Sequence, residues 1–129
     1  MQQTRTTAQR KLIMALMENN YAHPTADEVF EQARALDAHI SRGTVYRNLN
    51  LLSEQGRIRR LQMPEGPDHY DCMLENHYHF FCRACHRVFD TKLPYNERFN
   101  LESPGLPGFM TEGHRLILTG LCPDCRAQA

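Results

Sequence analysis

No stretch of the 129-residue sequence approaches the run of about 18 apolar residues that a membrane-spanning helix requires, and the N-terminus has no apolar segment of the kind a secretory signal carries. Both absences point to a cytoplasmic protein with no membrane partner. Low-complexity tracts are missing, and the only internal repetition is a doubled Cys-x-x-Cys. Net charge is missing too, with 15 basic and 15 acidic side chains. No global field therefore draws the chain to a polyanion or a lipid surface. The balance is nevertheless uneven along the chain. Residues 1–60 carry nine basic and six acidic side chains and residues 61–129 carry six and nine, which is a weak pointer to nucleic acid in the first half.

A chain of this length, with 41% hydrophobic residues, buries a modest core and suits one or two small units better than a large enzyme fold. Small units often need a staple. In a reducing cytoplasm five cysteines are more naturally metal ligands than disulfide partners, and the odd count leaves Cys72 outside any pairing. Cys72 sits beside Met73 and Leu74, a setting that predicts a small buried thiol.

Leu12, Ile13, Leu16 and Met17 recur at helical spacing and predict a first amphipathic helix from Ala8 to Asn20, ended by His23-Pro24. Thr25 with Glu28 three residues on is a capping box, opening a second helix with Val29, Phe30, Ala33 and Leu36 inward and a stop near Asp37. Ser41 caps a third segment, Arg42 to Gln55, with Val45, Leu49 and Leu52 as its apolar stripe and Gly56 at its C-terminal end. Arg57 to Leu61 and His69 to Cys72, joined by the turn Pro64-Glu65-Gly66-Pro67, read as a two-stranded hairpin. Three helices followed by such a ribbon predict a winged helix-turn-helix. The third helix would then offer Arg42, Thr44, Tyr46 and Arg47 to a major groove, with Arg57, Arg59 and Arg60 near phosphates. The competing reading is a small helical bundle whose charges are simply solvated. Beyond Leu74, strands at Tyr78–Cys82, Val88–Leu93 and His114–Thr119, with a helix around Asn96–Leu101, predict a second, α+β unit.

Cys82-Arg83-Ala84-Cys85 and Cys122-Pro123-Asp124-Cys125 are two knuckles, each able to turn two thiolates onto one tetrahedral ion. Cys82, Cys85, Cys122 and Cys125 together predict a structural zinc site. A redox pair, an iron–sulfur site or four unrelated thiols are the alternatives. A closed four-thiolate site leaves no open position for a substrate, so it argues for a scaffold and gives no catalytic residue. His77-Tyr78-His79 is the second informative stretch, because alternate residues on a strand share a face and two imidazoles there can share a metal. Asp71 lies just upstream, Asp90 falls on the next strand, and His23 lies between the first two helices.

Four motifs in order, Ala22-His23-Pro24-Thr25-Ala26-Asp27-Glu28, Gly43-Thr44-Val45-Tyr46-Arg47-Asn48-Leu49, His77-Tyr78-His79-Phe80-Phe81-Cys82-Arg83-Ala84-Cys85 and Cys122-Pro123-Asp124-Cys125, resemble the ferric uptake regulator family over nearly the whole chain. The resemblance implies a homodimeric bacterial repressor of palindromic double-stranded operators. Residues 1–72 would form its winged-helix DNA-binding domain and residues 73–129 a zinc-stapled dimerisation domain, with a regulatory metal site at the interface. His23, Asp71, His77, His79 and Asp90 match the regulatory ligands of the peroxide-sensing branch, and aspartate at position 90, where iron-uptake members more often carry glutamate, favours that branch. The regulatory ion would be Fe²⁺ or Mn²⁺. In that branch bound iron reacts with hydrogen peroxide and a ligand histidine, here His23 or His77, is oxidised.

Three departures qualify the match, one being that only five residues precede the Thr6-Thr7-Ala8-Gln9-Arg10 segment, where the family usually has a further helix, so that some backbone contacts to DNA are expected to be missing. Arg47 stands where the peroxide branch reads asparagine and follows the iron-uptake members. A second sensory site of other members maps to Asn76, Tyr78, Glu97 and His114, of which only the last two are plausible ligands, so that site is not expected. Within the same class the rival is an iron- or zinc-uptake regulator. From other classes the rivals are a small non-haem metalloenzyme, disfavoured by five protein ligands, and a zinc-stapled interaction module without DNA binding.

Overall fold

The computed structural model describes residues 4–101 and 105–129. The chain divides into two compact units, Met1–Leu74 and Glu75–Ala129, just beyond the boundary at Cys72 that the sequence suggested.

The first unit opens with α1, Arg5–Met17, whose N-cap Thr4 accepts a hydrogen bond from the Thr7 N–H. That cap starts the helix ahead of Ala8. The helix also ends before Asn20, since Glu18 is already extended and Asn19 takes a left-handed φ of 57°. The capping box of Thr25 and Glu28 is formed in both directions and opens α2, Ala26–Leu36. Val29, Phe30 and Ala33 are buried as the periodicity requires, but Leu36 is 68% exposed. It is the last helical residue, the chain turns away at Asp37, and Ile40 beyond that turn enters the core instead. The third helix, α3, is Arg42–Glu54, with the Ser41 side chain accepting from the Thr44 N–H and Val45, Leu49 and Leu52 buried together with Asn48. Gly56, at φ 73°, closes its C-terminal end, a conformation open to glycine without a side-chain clash.

The three helices close on one apolar core that includes Ile13, Met17, Val29, Phe30, Val45 and Leu49. Against it lies an antiparallel hairpin, β1 (Arg59–Leu61) and β2 (His69–Asp71), shorter at its ends than the sequence suggested. Arg59 is paired with Asp71 and Leu61 with His69. All three residues of β2 are buried. Cys72, just beyond, is half-buried, so the expectation of a buried thiol is corrected: the strand has ended and its side chain borders a surface cavity with Met14, Arg57 and Ile58.

The second unit is a three-stranded sheet in the order β4 (Val88–Asp90), β3 (His79–Cys82), β5 (Ile117–Gly120). β3 runs antiparallel to β4 and parallel to β5. These strands are shorter than their sequence patterns. The short helix α4, Arg98–Leu101, starts later than Asn96. A further short helix, α5 (Pro123–Ala127), which the strand and knuckle patterns did not predict, begins inside the second knuckle with Cys122 as N-cap and proline in its first turn. Among the described residues of this unit, the buried apolar side chains other than cysteine are Tyr78, Phe81 and Val88. That is a small core for a folded unit. No helix among the described residues is long and apolar enough to cross a membrane.

Candidate metal centres and nucleic-acid interface

The sheet registers explain how two distant knuckles meet. β3 delivers Cys82 at its end, and its parallel neighbour β5 runs alongside so that Cys82 is paired with Gly120, two residues before Cys122. The Cys85 and Cys122 sulfurs are 3.8 Å apart, and all four Sγ atoms lie within 4.8 Å of one another. A tetrahedral ion with Zn–S bonds of about 2.3 Å has S–S edges of about 3.8 Å, so the donor set fits zinc in both number and spacing. Backbone donors prepare the thiolates. The Cys85 and Cys122 N–H groups point at Cys82 Sγ from 3.5 and 3.4 Å. Chiefly through the Cys85 N–H, and against the opposing effect of burial, the Cys82 thiol is lowered to about 5. Cys122 is lowered as well, first by the Cys125 N–H, whereas hydrogen bonding with Cys122 leads the push of Cys125 up to about 12.

Arg87 was not marked by any sequence pattern. Its guanidinium donates to Cys85 Sγ and to Cys122 Sγ, each at 3.3 Å, and to the Asp124 carboxylate at 3.0 Å. One cation thus bridges both knuckles, and the hydrogen bond to Cys85 leads in holding its charge. A tetrathiolate zinc centre carries excess negative charge, which an adjacent guanidinium offsets.

The residues proposed for the second metal are distributed between the units. In the first, His23 Nε2 is 3.5 Å from Asp71 Oδ2, and both side chains are buried. In the second, the pairing of His79 with Asp90 across β3 and β4 brings the Asp90 carboxylate to 2.9 Å from His77 Nε2 and 3.5 Å from His79 Nε2. The rings of His77 and His79 have centroids 4.4 Å apart, as expected when alternate residues of an extended segment share a face. The backbone carbonyl of Glu75 lies 2.6 Å from His77 Nδ1 and can only accept, so Nδ1 donates to it and the ring is oriented with Nε2 toward the Asp90 carboxylate. Each unit therefore presents a nitrogen–oxygen donor group of the kind that suits divalent iron, manganese or zinc.

At the positions of the other sensory site, His114 is fully engaged. The Tyr78 hydroxyl accepts from the Asn96 N–H at 3.0 Å and lies 2.7 Å from His114 Nε2, while Asn100 Oδ1 lies 2.8 Å from His114 Nδ1. Tyr95 stacks on the imidazole at 4.6 Å.

On α3, Arg42, Tyr46 and Arg47 are exposed and Thr44 half-buried. Arg42 is ion-paired with Asp27 of α2 and lies over the Phe30 ring at 4.7 Å. The Tyr46 hydroxyl donates to the same Asp27 oxygen at 2.9 Å, which raises its phenol above the ordinary value. Arg47 folds back to Thr44 Oγ1 at 3.3 Å. Arg59 on β1 is half-buried, and Arg60 lies 3.7 Å from Asp68. Cationic and hydroxyl groups therefore line one exposed face of α3, the arrangement that phosphate and base-edge contacts need.

The sequence profile described as the ferric uptake regulator family matches residues 1–119. The peroxide operon regulator of Bacillus subtilis (strain 168) is 31% identical over 121 residues, covering 94% of this chain and 83% of that protein. Among solved structures, the iron-containing ferric uptake regulator of Francisella tularensis superposes with a TM-score of 0.74 at 26% identity, covering 98% of this chain and 95% of that one. The peroxide stress regulator of Campylobacter jejuni gives a TM-score of 0.72 at 25% identity, covering 94% and 91%.

Proposed function

The chain belongs to the ferric uptake regulator family, and from that premise we propose that it is a metal-dependent transcriptional repressor of the peroxide-sensing branch, acting in the cytoplasm as a regulator and not as an enzyme. In that role it binds double-stranded DNA as a homodimer. The four-cysteine set carries the structural zinc. The regulatory ion, Fe²⁺ or Mn²⁺, is held by His23 and Asp71 from the first unit together with His77, His79 and Asp90 from the second. The observation that carries this reading is the paired donor groups, each with a carboxylate beside imidazole nitrogen and each in a separate compact unit.

Ligands on two units make the ion a conformational effector. It binds best where both groups converge, and by linkage it stabilises that arrangement by its differential affinity. With the units held so, the two recognition helices of a dimer match the half-site spacing of a palindromic operator, and Arg42, Thr44, Tyr46, Arg47 and Arg59 meet bases and phosphates. The dimer is supported by the exposed apolar side chains of the second unit, among them Phe99, Phe109, Met110, Leu116 and Leu118, and by the position of β5 at the edge of its sheet.

Bound Fe²⁺ would promote cleavage of the peroxide O–O bond, with hydrogen peroxide as the net two-electron oxidant: one oxygen goes to the imidazole of His23 or His77, the other leaves as water, and the oxidised ring loses its hold on the ion. Anaerobic loading with Fe²⁺, followed by one equivalent of peroxide and peptide mass mapping, is expected to give a one-oxygen gain at His23 or His77. Mn²⁺-loaded protein should give none. Arg47, which follows the iron-uptake pattern, favours the rival reading of an uptake regulator. That rival predicts no oxygen gain with either metal.

A further inference from the structure

One strand of the first unit serves both of its metal ligands. Asp71 ends β2, and two residues earlier on that strand His69 is 4% exposed. Alternate residues share a strand face, so His69 and Asp71 project to the same side. His69 was not singled out as a ligand, and its ring is otherwise committed. His69 Nδ1 lies 2.6 Å from the backbone carbonyl oxygen of His23. A carbonyl only accepts, so Nδ1 carries the proton and donates. Backbone contacts reinforce the link: Thr25 bridges to His69, and the Tyr70 N–H donates to the Pro24 carbonyl at 2.8 Å.

His23 needs such a restraint. Its φ is 54°, in the left-handed region that residues with a side chain seldom enter unless their surroundings fix them there. In that conformation its Nε2 lies 3.5 Å from Asp71 Oδ2. Without the His69 donor the Thr25 and Pro24 backbone contacts remain, but the bond to the His23 carbonyl itself is lost, and relaxation toward negative φ at His23 would carry the imidazole away from Asp71.

We propose that His69 is a positioning residue for the regulatory metal site, holding the His23 backbone in its left-handed conformation and tying that ligand to the wing strand that carries Asp71. The proposal rests on the reading of His23 and Asp71 as regulatory ligands. It adds a route for the signal. Asp71 is paired with Arg59 across the hairpin and His69 with Leu61, so the ligand turn and both strands of the wing form one hydrogen-bonded element. A metal that fixes His23 and Asp71 therefore fixes Arg59 as well.

The test is a Mn²⁺ titration of the zinc-loaded, full-length protein. His69→Leu removes the donor and is expected to weaken Mn²⁺ binding by about 10- to 100-fold, the usual scale for loss of a partner that orients a metal ligand, with zinc content unchanged. His69→Asn, whose amide N–H falls near the place of Nδ1–H, should restore affinity to near the wild-type value, a rescue that a merely space-filling role would not give. Wild-type affinity in His69→Leu, or equal loss in His69→Asn, overturns the proposal. His77→Ala and Asp90→Ala separate the two levels: if they weaken Mn²⁺ binding and His69→Leu does not, only the role of His69 fails; if they leave it unchanged, the ligand assignment fails and takes the proposal with it. Should His69→Leu not fold, ¹⁵N imidazole spectra of the wild-type protein, zinc-loaded and free of manganese, decide the matter. A Nδ1–H tautomer at His69 supports the proposal, and a Nε2–H tautomer overturns it.

Discussion

Serine in place of Cys82 is expected to remove zinc from the protein and with it the folded second unit and the dimer. The magnitude follows from two comparisons. Structural zinc in small domains contributes on the order of 10–16 kcal/mol of folding free energy, whereas whole domains are stable by about 5–15 kcal/mol. The second unit has little to set against that loss, since its buried apolar side chains other than cysteine are Tyr78, Phe81 and Val88 among the described residues. Cys82 is the severe position because it is fully buried and accepts backbone hydrogen bonds from both knuckles. Zinc content, circular dichroism and sedimentation would be measured together. A zinc-free Cys82→Ser protein that remains a folded dimer would show that the site is not the staple assigned to it.

Alanine at His77 should have the opposite profile: zinc, fold and dimer retained, and metal control of DNA binding lost. His77 is held by its bond to the Glu75 carbonyl and faces Asp90, and it contributes nothing to the apolar core, so its removal should cost little stability. The loss is in coupling. Effector couplings between two sites are commonly 5- to 150-fold, so Mn²⁺ should strengthen operator binding of the wild type by up to about 100-fold and of His77→Ala by almost nothing. Fluorescence anisotropy with a labelled operator, with and without Mn²⁺, reads this directly. If the variant keeps the full response to Mn²⁺, His77 is not a regulatory ligand. The two variants thus separate scaffold from switch: both bear on metal, but only one should unfold anything.

How far the sequence reached can be seen residue by residue. The starts of α2 and α3 were readable because capping is local chemistry: Thr25, Glu28 and Ser41 form the caps that their identities imply. The same logic applied to Thr4 would have placed the start of α1 correctly, but the apolar stripe begins later than the cap. Leu36 follows the helical period and yet is exposed, because the period says which face a residue occupies and not where the chain leaves the core. Cys82, Cys85, Cys122 and Cys125 were legible as a set from type and spacing, and their convergence depends on a parallel pairing of β3 with β5. No local pattern specifies that pairing, since its connection spans residues 83–116. Arg87, Asp27 and His69 were missed for one common reason. Each acts on a partner brought to it by the fold, respectively the two knuckles, the side chains of α3 and the His23 carbonyl, and a single charged or polar residue in sequence does not announce such a partner. The donor groups in the two units were readable as types, while the hydrogen bonds that fix their rings came only from the structure.

The most direct test of the account is operator affinity of one protein preparation under two metals, before and after a single addition of hydrogen peroxide in anaerobic buffer. Protein loaded with Fe²⁺ and protein loaded with Mn²⁺ should both bind the operator tightly at first. After peroxide the iron form should release it while the manganese form holds, with zinc still present in both. Retention of the operator by the iron form, or equal release by both forms, would contradict the assignment of this chain as a peroxide-sensing repressor.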